Sequence, residues 1–469
     1  MVSGSSRRRM RTILHIDFNS YFATVEQQAN PRLRGKPIGV TGGDRMKRTV
    51  IGAASVEAKR FGVKTGMQIW EARKLCPSLI LVPGDSDKYL EVTKRFLGIL
   101  KDYSLHLEVF SIDECFLELS TSVIASDSEA ISKHELDCFV AYAPRNDVRA
   151  TALEIKSRIR SEIGEWITCS IGISYNKLMA KLAGSLQKPD GLVIIPDQKT
   201  AIESLNKVEL DAVCGIGSRI KKRLFNMGVT DFRKLRTVPL PALLASFKSY
   251  GQVLFNYARG IDERPVIAFY EKPEVKSVGH RHTIDHDTAD PVEIKQILLK
   301  LTELIARKLR AKKLVGRTVS CWFRYGFVHL RGGVENPSGS HLGGVFLGNG
   351  MQTTIPYTDD GLEIFHAGWK LFEKIWERGE IRMIGVSVSN LKPQTPGNLS
   401  FLEENYKREV ITRALDKVND KYGEFTLQRG VLLPASPAPL ASLRAKRGEQ
   451  TPNIRRMPNP FLADRKFRI

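Results

Sequence analysis

Apolar residues occur in this chain in two patterns: short continuous runs, and longer segments in which they recur at helical spacing. Residues 13–16 (ILHI) form one such run and predict a buried strand. Tyr21, Phe22 and Val25 follow this run at the spacing of a helix. A second run at residues 79–82 predicts another strand, which is again followed by a helix. Strands that alternate with helices in this way favour a mixed α/β fold.

The middle of the chain predicts a hairpin and an insertion. Apolar pairs flank residues 111–114 (SIDE), so residues 109–119 are expected to form two strands joined by a tight turn. Residues 121–149 are polar, irregular and interrupted by a proline, which predicts an inserted loop. A periodic helix then leads to a strand predicted at residues 167–171, and another helix is expected to begin near Asn176.

The second half of the chain contains a long amphipathic helix. This helix is predicted over residues 293–314, because apolar residues lie on one face and basic residues on the others. Short helical segments precede it over residues 184–260, and strands follow it at 318–325 and 382–389. Beyond about residue 434 the chain is rich in Pro and Arg without periodicity, which predicts disorder.

Length and charge restrict the possible functions. A chain of 469 residues is too long for one ordinary core, so two to four domains are expected. A net charge of +21 indicates a polyanionic partner, either nucleic acid or an anionic membrane. No apolar run is long enough to span a bilayer. We therefore expect the polyanionic partner to be nucleic acid, and we expect no membrane partner. The six cysteines are scattered, which is typical of isolated thiols in a reducing cytosol.

Acidic residues stand at the ends of the predicted strands. Asp17 follows a buried strand, where an unpaired carboxylate is costly, although it could equally cap the helix that follows. Asp113 and Glu114 fall at the hairpin turn, where adjacent carboxylates can share a metal ion, although a solvated turn would also explain them. Together, three such carboxylates in a strongly basic chain match the ligands of two-metal phosphoryl transfer.

Seven motifs follow one another in the order of a known family. They lie at residues 16–22 (IDFNSYF), 57–63 (EAKRFGV), 111–114 (SIDE), 172–177 (GISYNK), 188–191 (KPDG), 276–279 (KSVG) and 385–391 (GVSVSNL). As an ordered set they resemble the Y-family lesion-bypass DNA polymerases of the DNA polymerase IV (DinB-like) branch. The resemblance covers about residues 12–391. It implies a template-directed, error-prone polymerase that extends primers past damaged bases without proofreading.

The resemblance also implies a multidomain α/β (α+β) fold shaped like a right hand. The palm is expected to have a sheet dominated by antiparallel pairs, and the little finger to pack a sheet on helices. The expected parts are a basic tail (1–10), a palm (11–20 and 86–183, with the inserted loop 121–149), fingers (21–85), a helix-hairpin-helix thumb (184–262), a linker (263–273), a little finger (274–391), a helical extension (392–433) and a disordered basic tail (434–469).

By the same resemblance, Asp17, Asp113, Glu114 and the backbone carbonyl of Phe18 hold two Mg²⁺ ions in each active site. The residues implied to bind the nucleotide are Ser20, Tyr21, Phe22, Ala53, Val56, Lys59 and Lys177. Phe22 is the implied steric gate against a 2′-hydroxyl, although its spacing alone is that of a core aromatic residue. A solvated helix surface is likewise the ordinary interpretation of Lys177.

The fingers depart from the family pattern. The family usually has a Tyr and an Arg where this chain has Val56 and Lys59. Valine cannot donate a hydrogen bond, and lysine lacks the bidentate fork of arginine. We therefore expect the fingers to hold the triphosphate less firmly than is usual in the family.

The predicted thumb contains a glycine hairpin with basic residues behind it. Gly215, Gly217, Lys221 and Lys222 resemble a helix-hairpin-helix that binds the DNA backbone, although a plain glycine-rich turn is an alternative. A helix-hairpin-helix nuclease would need more acidic residues beside this hairpin than the single Asp211.

The implied partners are primer–template DNA and deoxynucleoside triphosphates, bound by a monomer in the bacterial cytoplasm at the nucleoid. A sliding clamp is a partner of related polymerases, but the tail shows no convincing clamp peptide. The alternative function is a catalytically inactive DNA-binding protein of the same fold.

Overall fold

The structure is a computed structural model that describes residues 11–42, 49–119, 148–271, 274–326, 348–394, 403–423 and 425–432. Most of the predicted inserted loop and the whole predicted tail from residue 434 lie outside these ranges. The chain divides between residues 272 and 273 into two compact units, which are described separately.

The first unit contains eight described strands and eleven described α-helices. The strands are β1 (Thr12–Phe18), β2 (Ile38–Thr41), β3 (Ile51–Ala54), β4 (Ile80–Pro83), β5 (Leu107–Val109), β6 (Glu114–Leu119), β7 (Cys169–Ser174) and β8 (Leu192–Ile195). The helices are α1 (Tyr21–Ala29), α2 (Val56–Arg60), α3 (Ile69–Leu75), α4 (Ser86–Lys101), α5 (Val148–Arg158), α6 (Lys177–Leu186), α7 (Gln198–Leu205), α8 (Ser218–Asn226), α9 (Phe232–Thr237), α10 (Leu240–Phe247) and α11 (Tyr250–Tyr257).

The main sheet of this unit has the strand order β5-β6-β1-β7-β8. β1 pairs antiparallel with both β6 and β7, and only β7 and β8 run parallel. Ile13, Leu14 and Ile16 on the central strand are fully buried, so this predicted strand forms the middle of the core. The strand predicted at 167–171 begins instead at Cys169, because the Ile167 N–H donates to the Gly164 carbonyl in a turn.

Helix α6 lies directly on this sheet because of two glycines. A Cβ on Gly172 would stand 2.1 Å from the carbonyl oxygen of Ala180 and from the nitrogen of Gly184, which only glycine avoids. The helix begins where the sequence predicts, since the side chain of Asn176 accepts the Met179 N–H at 2.8 Å. The close approach brings the polar residues of α6 to the end of β1.

A smaller sheet and a helical cluster complete the first unit. The sheet has the order β3-β2-β4 and packs with α2 and α3 around its own apolar cluster. Helix α2 is capped by Ser55, whose hydroxyl accepts the Ala58 N–H at 3.2 Å. Helices α7 to α11 surround a separate core that includes Leu224, Phe232 and Leu254. These two regions correspond in sequence to the predicted fingers and thumb.

The second unit is a sheet covered by helices. Its described elements are β9 (Ser277–Thr288), α12 (Pro291–Ala311), β10 (Leu314–Tyr325), β11 (Gly348–Thr358), α13 (Gly361–Ile375), β12 (Ile381–Pro393) and α14 (Glu403–Tyr422). The sheet has the order β11-β10-β12-β9, and all its pairs are antiparallel. Together the two units confirm the predicted multidomain fold of mixed helix and strand. Among the described helices of either unit, none is long and apolar enough to cross a membrane.

Candidate active site

A cavity of about 610 Å³ lies in the first unit, between the end of β1 and the small sheet. Its lining residues are Asp17, Phe18, Asn19, Ser20, Tyr21, Phe22, Gly52, Ala53, Ala54, Val56, Lys59, Arg60, Thr65, Asp113, Glu114, Lys188 and Pro189. The main sheet supplies the acidic side of this cavity, which we call the palm wall. Strand β3 and helix α2 supply the other side, which we call the fingers wall.

The three predicted carboxylates meet on the palm wall. Asp17 on β1 is the register partner of Glu114, the first residue of β6. Asp113 precedes Glu114 in the turn, and its carbonyl oxygen accepts the Phe18 N–H at 2.9 Å. The hydroxyl of Ser111 donates to the carboxylate of Asp113. Backbone pairing therefore brings residues almost a hundred positions apart to the same wall.

Cationic side chains contact two of these carboxylates. The Lys188 ammonium lies 2.6 Å from Oδ1 of Asp17. The Lys181 ammonium donates to Oε2 of Glu114, and Nε2 of His15 lies 3.0 Å from the same oxygen. Burial lowers the pKa of His15, so its neutral ring donates Nε2–H to Glu114. Burial opposes ionisation of Glu114, but the hydrogen bonds from His15 and Lys181 lower its pKa to about 2.

Asp113 shows the opposite pKa shift. Its burial raises the pKa, and the nearby charges of Asp17 and Glu114 raise it further, while the Ser111 hydrogen bond lowers it. A divalent cation would relieve this repulsion between carboxylates. The ligand atoms of His15, Asp17 and Glu114 all lie within 4.8 Å of one another. Hard carboxylate oxygens suit Mg²⁺, so the residues present fit the metal that the resemblance implies.

Phe22 lines the cavity, and its ring is supported by a neighbouring aromatic side chain. Its ring stacks on that of Tyr89, with centroids 4.4 Å apart and planes at 22°. The Tyr89 hydroxyl donates to the buried carboxylate of Glu26 at 2.8 Å. Tyr21 is different, since its ring is buried and its hydroxyl donates to the Tyr89 carbonyl at 2.9 Å. Tyr21 can therefore face the cavity only through its backbone.

The fingers wall contains the three residues predicted there. Ala53, Val56 and Lys59 all line the cavity, as do Arg60 and Thr65, which were not predicted. Burial lowers the pKa of Lys59, and the charge of Lys188 lowers it further. The two lysines therefore face the same space from opposite walls.

Lys177 is not among the residues that line the cavity. Its ammonium donates to both oxygens of Glu108, at 2.7 and 2.9 Å, and to the Pro265 carbonyl at 3.1 Å. Besides Lys59 on the fingers wall, the structure brings Lys188 to the cavity. Lys188 belongs to the motif at residues 188–191, to which no separate role was given. Its place in that ordered motif was the signal that could have identified it.

The glycine hairpin forms at the start of α8. Gly215 has a φ of 104°, and its carbonyl accepts the Tyr250 hydroxyl at 2.7 Å, while Gly217 caps the helix. Lys221 is already engaged, since its ammonium pairs with Glu209 and, at 2.8 Å, with Asp211. Lys222 is exposed to solvent.

Comparisons with known proteins agree with this geometry. Residues 16–185 match the model of the impB/mucB/samB family, and residues 275–401 match the model of its C-terminal domain. The chain is similar to DNA polymerase IV of Moorella thermoacetica, with 33% identity over 90% of this chain and 96% of the relative. DNA polymerase IV of Pelotomaculum thermopropionicum is also 33% identical, over 93% of this chain and 98% of the relative. A solved Y-family DNA polymerase chimera has a similar fold, with a TM-score of 0.63, 23% identity, and coverage of 81% of this chain and 99% of that chain.

Proposed function

Since this chain belongs to the Y-family DNA polymerases, in the DNA polymerase IV branch, we propose that it copies damaged templates by two-metal nucleotidyl transfer and without proofreading. The observation that carries the proposal is the convergence of Asp17, Asp113 and Glu114 on one wall of the cavity. The enzyme is a DNA-directed DNA polymerase, and its substrates are primer–template DNA and deoxynucleoside triphosphates.

The palm wall positions the reacting groups. When bound, two Mg²⁺ ions activate the primer 3′-hydroxyl and neutralise charge on the triphosphate. Asp17 and Glu114 are held by one backbone ladder, and Asp113 by the turn beside it. With the backbone carbonyl of Phe18, these residues supply oxygen ligands only, as Mg²⁺ prefers.

Charges on both walls bind the triphosphate. Lys188 now pairs with Asp17, and phosphate oxygens offer its ammonium an alternative partner for a charge-assisted hydrogen bond. Lys59 adds a second positive charge from the fingers wall. The backbone N–H groups of Ser20 and Tyr21 lie at the start of α1, where phosphate oxygens can accept from them.

The sugar is selected by Phe22. Its ring stacks on Tyr89, whose hydroxyl donates to Glu26, so the ring cannot move easily away from a 2′-hydroxyl.

The DNA backbone is bound by the hairpin at Gly215 and Gly217 together with the exposed Lys222. Lys221 contributes less, because two carboxylates already pair with it.

We further propose that the enzyme works as a monomer on the nucleoid in the bacterial cytoplasm, with a sliding clamp as an additional partner. The bacterial relatives support this location. The alternative function is a catalytically inactive DNA-binding protein. This alternative does not explain why three carboxylates lie together in one cavity.

Primer extension by Asp113→Ala tests the proposal. We expect extension to fall roughly 100-fold or more, because the carboxylates act on the transferring phosphate. DNA affinity should stay close to that of the wild type, because Lys and Arg contacts to the backbone provide it. Fluorescence anisotropy measures this affinity.

A suitable control is Asp102→Ala. Asp102 is an exposed palm carboxylate that pairs with Arg158 at 2.9 Å outside the cavity, and such surface pairs contribute little to stability. Extension by Asp113→Ala above a few per cent of the wild-type rate would contradict the proposed chemistry. Shortening of a mismatched primer by the wild type without nucleotides would contradict the absence of proofreading.

A further inference from the structure

Glu114 is held by two side chains from different elements. The ammonium of Lys181 on α6 donates to its Oε2, and Nε2 of His15 on β1 lies 3.0 Å from the same oxygen. Across the described part of the chain, these are the two side chains that donate to this carboxylate. Among the described residues no side chain donates to its other oxygen, Oε1, and Glu114 lines the cavity.

We propose that Lys181 and His15 are positioning residues that fix the carboxylate of Glu114 for the polymerase reaction. The inference rests on the proposed role of Glu114 at the metal site. A glutamate side chain has three rotatable bonds, and two donors on one of its oxygens restrict all three. Partners of this kind beside a metal ligand typically contribute 10- to 100-fold in metal affinity or activity.

The burial of His15 supports a specific role for its contact with Glu114. Its side chain is 1% exposed, and its neighbours Leu14 and Ile16 on β1 are fully buried apolar residues. A polar ring in such a strand costs free energy unless it is hydrogen bonded. The donation to Glu114 offsets that cost for Nε2, whereas Nδ1 is buried without a hydrogen-bond partner among the described residues. The Phe116 ring packs against the imidazole at 4.8 Å between centroids.

The position of Lys181 follows from the close packing of α6. Gly172 and Gly184 allow the helix to approach the sheet, and a Cβ on Gly184 would stand 3.1 Å from Nδ1 of His15. The Lys181 ammonium also lies 4.7 Å from the centre of the Phe110 ring, a cation–π contact in addition to its contact with Glu114. The lysine is thus held by two neighbours, unlike a solvated surface lysine.

Arg11 provides a matched comparison in the same part of the fold. It immediately precedes β1 and pairs at 2.7 Å with a glutamate of β6, Glu118, but this pair lies outside the cavity. A purely structural role for Lys181 predicts that Lys181→Met and Arg11→Met behave alike. A positioning role predicts that Lys181→Met changes the chemical step and that Arg11→Met does not.

The experiment measures single-nucleotide incorporation and melting temperature for full-length Lys181→Met, Lys181→Arg, His15→Leu, Arg11→Met and Glu114→Gln. We expect Lys181→Met and His15→Leu each to lower kcat roughly 10- to 100-fold and to raise the Mg²⁺ concentration needed for half-maximal rate. KM for the nucleotide should change little, and Lys181→Arg should recover much of the loss. Arg11→Met removes a charged pair outside the cavity, so it should leave kcat close to that of the wild type, whatever its effect on the melting temperature.

Several results would overturn the inference. In one such result, Lys181→Met and His15→Leu both have a kcat close to that of the wild type, while Glu114→Gln is inactive. This result would contradict the positioning role but leave the proposed function intact. A second is an equal loss of kcat in Arg11→Met and Lys181→Met, which indicates a structural effect. An active Glu114→Gln would overturn the proposed function and the positioning role together. His15→Leu keeps the test usable if Lys181→Met does not fold, since leucine suits the apolar surroundings of residue 15.

Discussion

The two walls of the cavity are built differently. The palm wall is charged, and its carboxylates are bonded to neighbouring side chains or turns: Asp17 to Lys188, Glu114 to Lys181, and Asp113 to Ser111. The fingers wall presents the small or apolar side chains of Ala53 and Val56 beside the cations Lys59 and Arg60. The carboxylates that line the cavity thus all lie on the palm wall, whereas the fingers wall has small, apolar and basic side chains.

Support from the backbone explains this difference. The palm residues lie on β1 and β6 in the middle of a five-stranded sheet, where register allows little movement. The fingers residues lie on a four-residue strand and a five-residue helix with a separate small core. Changes on the palm wall should therefore abolish catalysis, as expected for Asp113→Ala, whereas changes on the fingers wall should adjust affinity. The following predictions test this contrast, from the largest effect to the smallest.

Phe22→Ala should have the largest effect after loss of a carboxylate. Removing the ring opens space for a 2′-hydroxyl, and since one methylene in a pocket can change discrimination 10- to 200-fold, we expect ribonucleotide incorporation to rise roughly 100-fold relative to deoxynucleotide incorporation. The ratio of kcat/KM for the two nucleotides measures this change. An unchanged ratio would show that Phe22 is a core residue and that the gate lies elsewhere.

The two walls also differ in how much the sequence reveals. Apolar runs locate β1 and the hairpin, and the ordered motifs predict Asp17, Asp113 and Glu114 as site residues, which the structure places on one wall of the cavity. The strand extends beyond its apolar run to Thr12–Phe18, because Asp17 is paired on both sides, with Glu114 and with Ser170. Such pairing depends on residues far away in sequence, so periodicity alone does not show it.

Lysines are where the sequence is least informative. Lys177 and Lys181 lie four residues apart on α6, so they point in similar directions, yet one pairs with Glu108 and the other with Glu114. Lys188 reaches the cavity from beyond the end of the same helix. Which of these lysines lines the cavity depends on how closely α6 approaches the sheet. Gly172 and Gly184 set that distance through contacts that exist only in the folded structure.

The double variant Val56→Tyr/Lys59→Arg should increase the affinity of the fingers wall for the nucleotide. A hydrogen bond to a charged group contributes about 1.5–3 kcal/mol, and about 1.4 kcal/mol corresponds to tenfold in affinity. The double variant should therefore lower the nucleotide KM roughly tenfold or more, with a smaller effect on kcat. Pre-steady-state titration with one nucleotide measures the affinity. If it does not change, other cations of the cavity, such as Arg60, already supply the missing contacts.

Replacing residues 121–147 should have the smallest effect of all. The described part of β6 ends at Leu119 and that of α5 begins at Val148, so the replacement changes no described residue of either element. A flexible Gly/Ser linker of the same length keeps the reach of the chain between them. We expect primer extension and melting temperature close to those of the wild type, since both walls of the cavity are built from other residues. Loss of soluble protein would show that the segment belongs to the fold. Loss of activity in a variant with an unchanged melting temperature would show instead that it contacts DNA or nucleotide, and the palm would then contribute to substrate binding through more than its carboxylates and lysines.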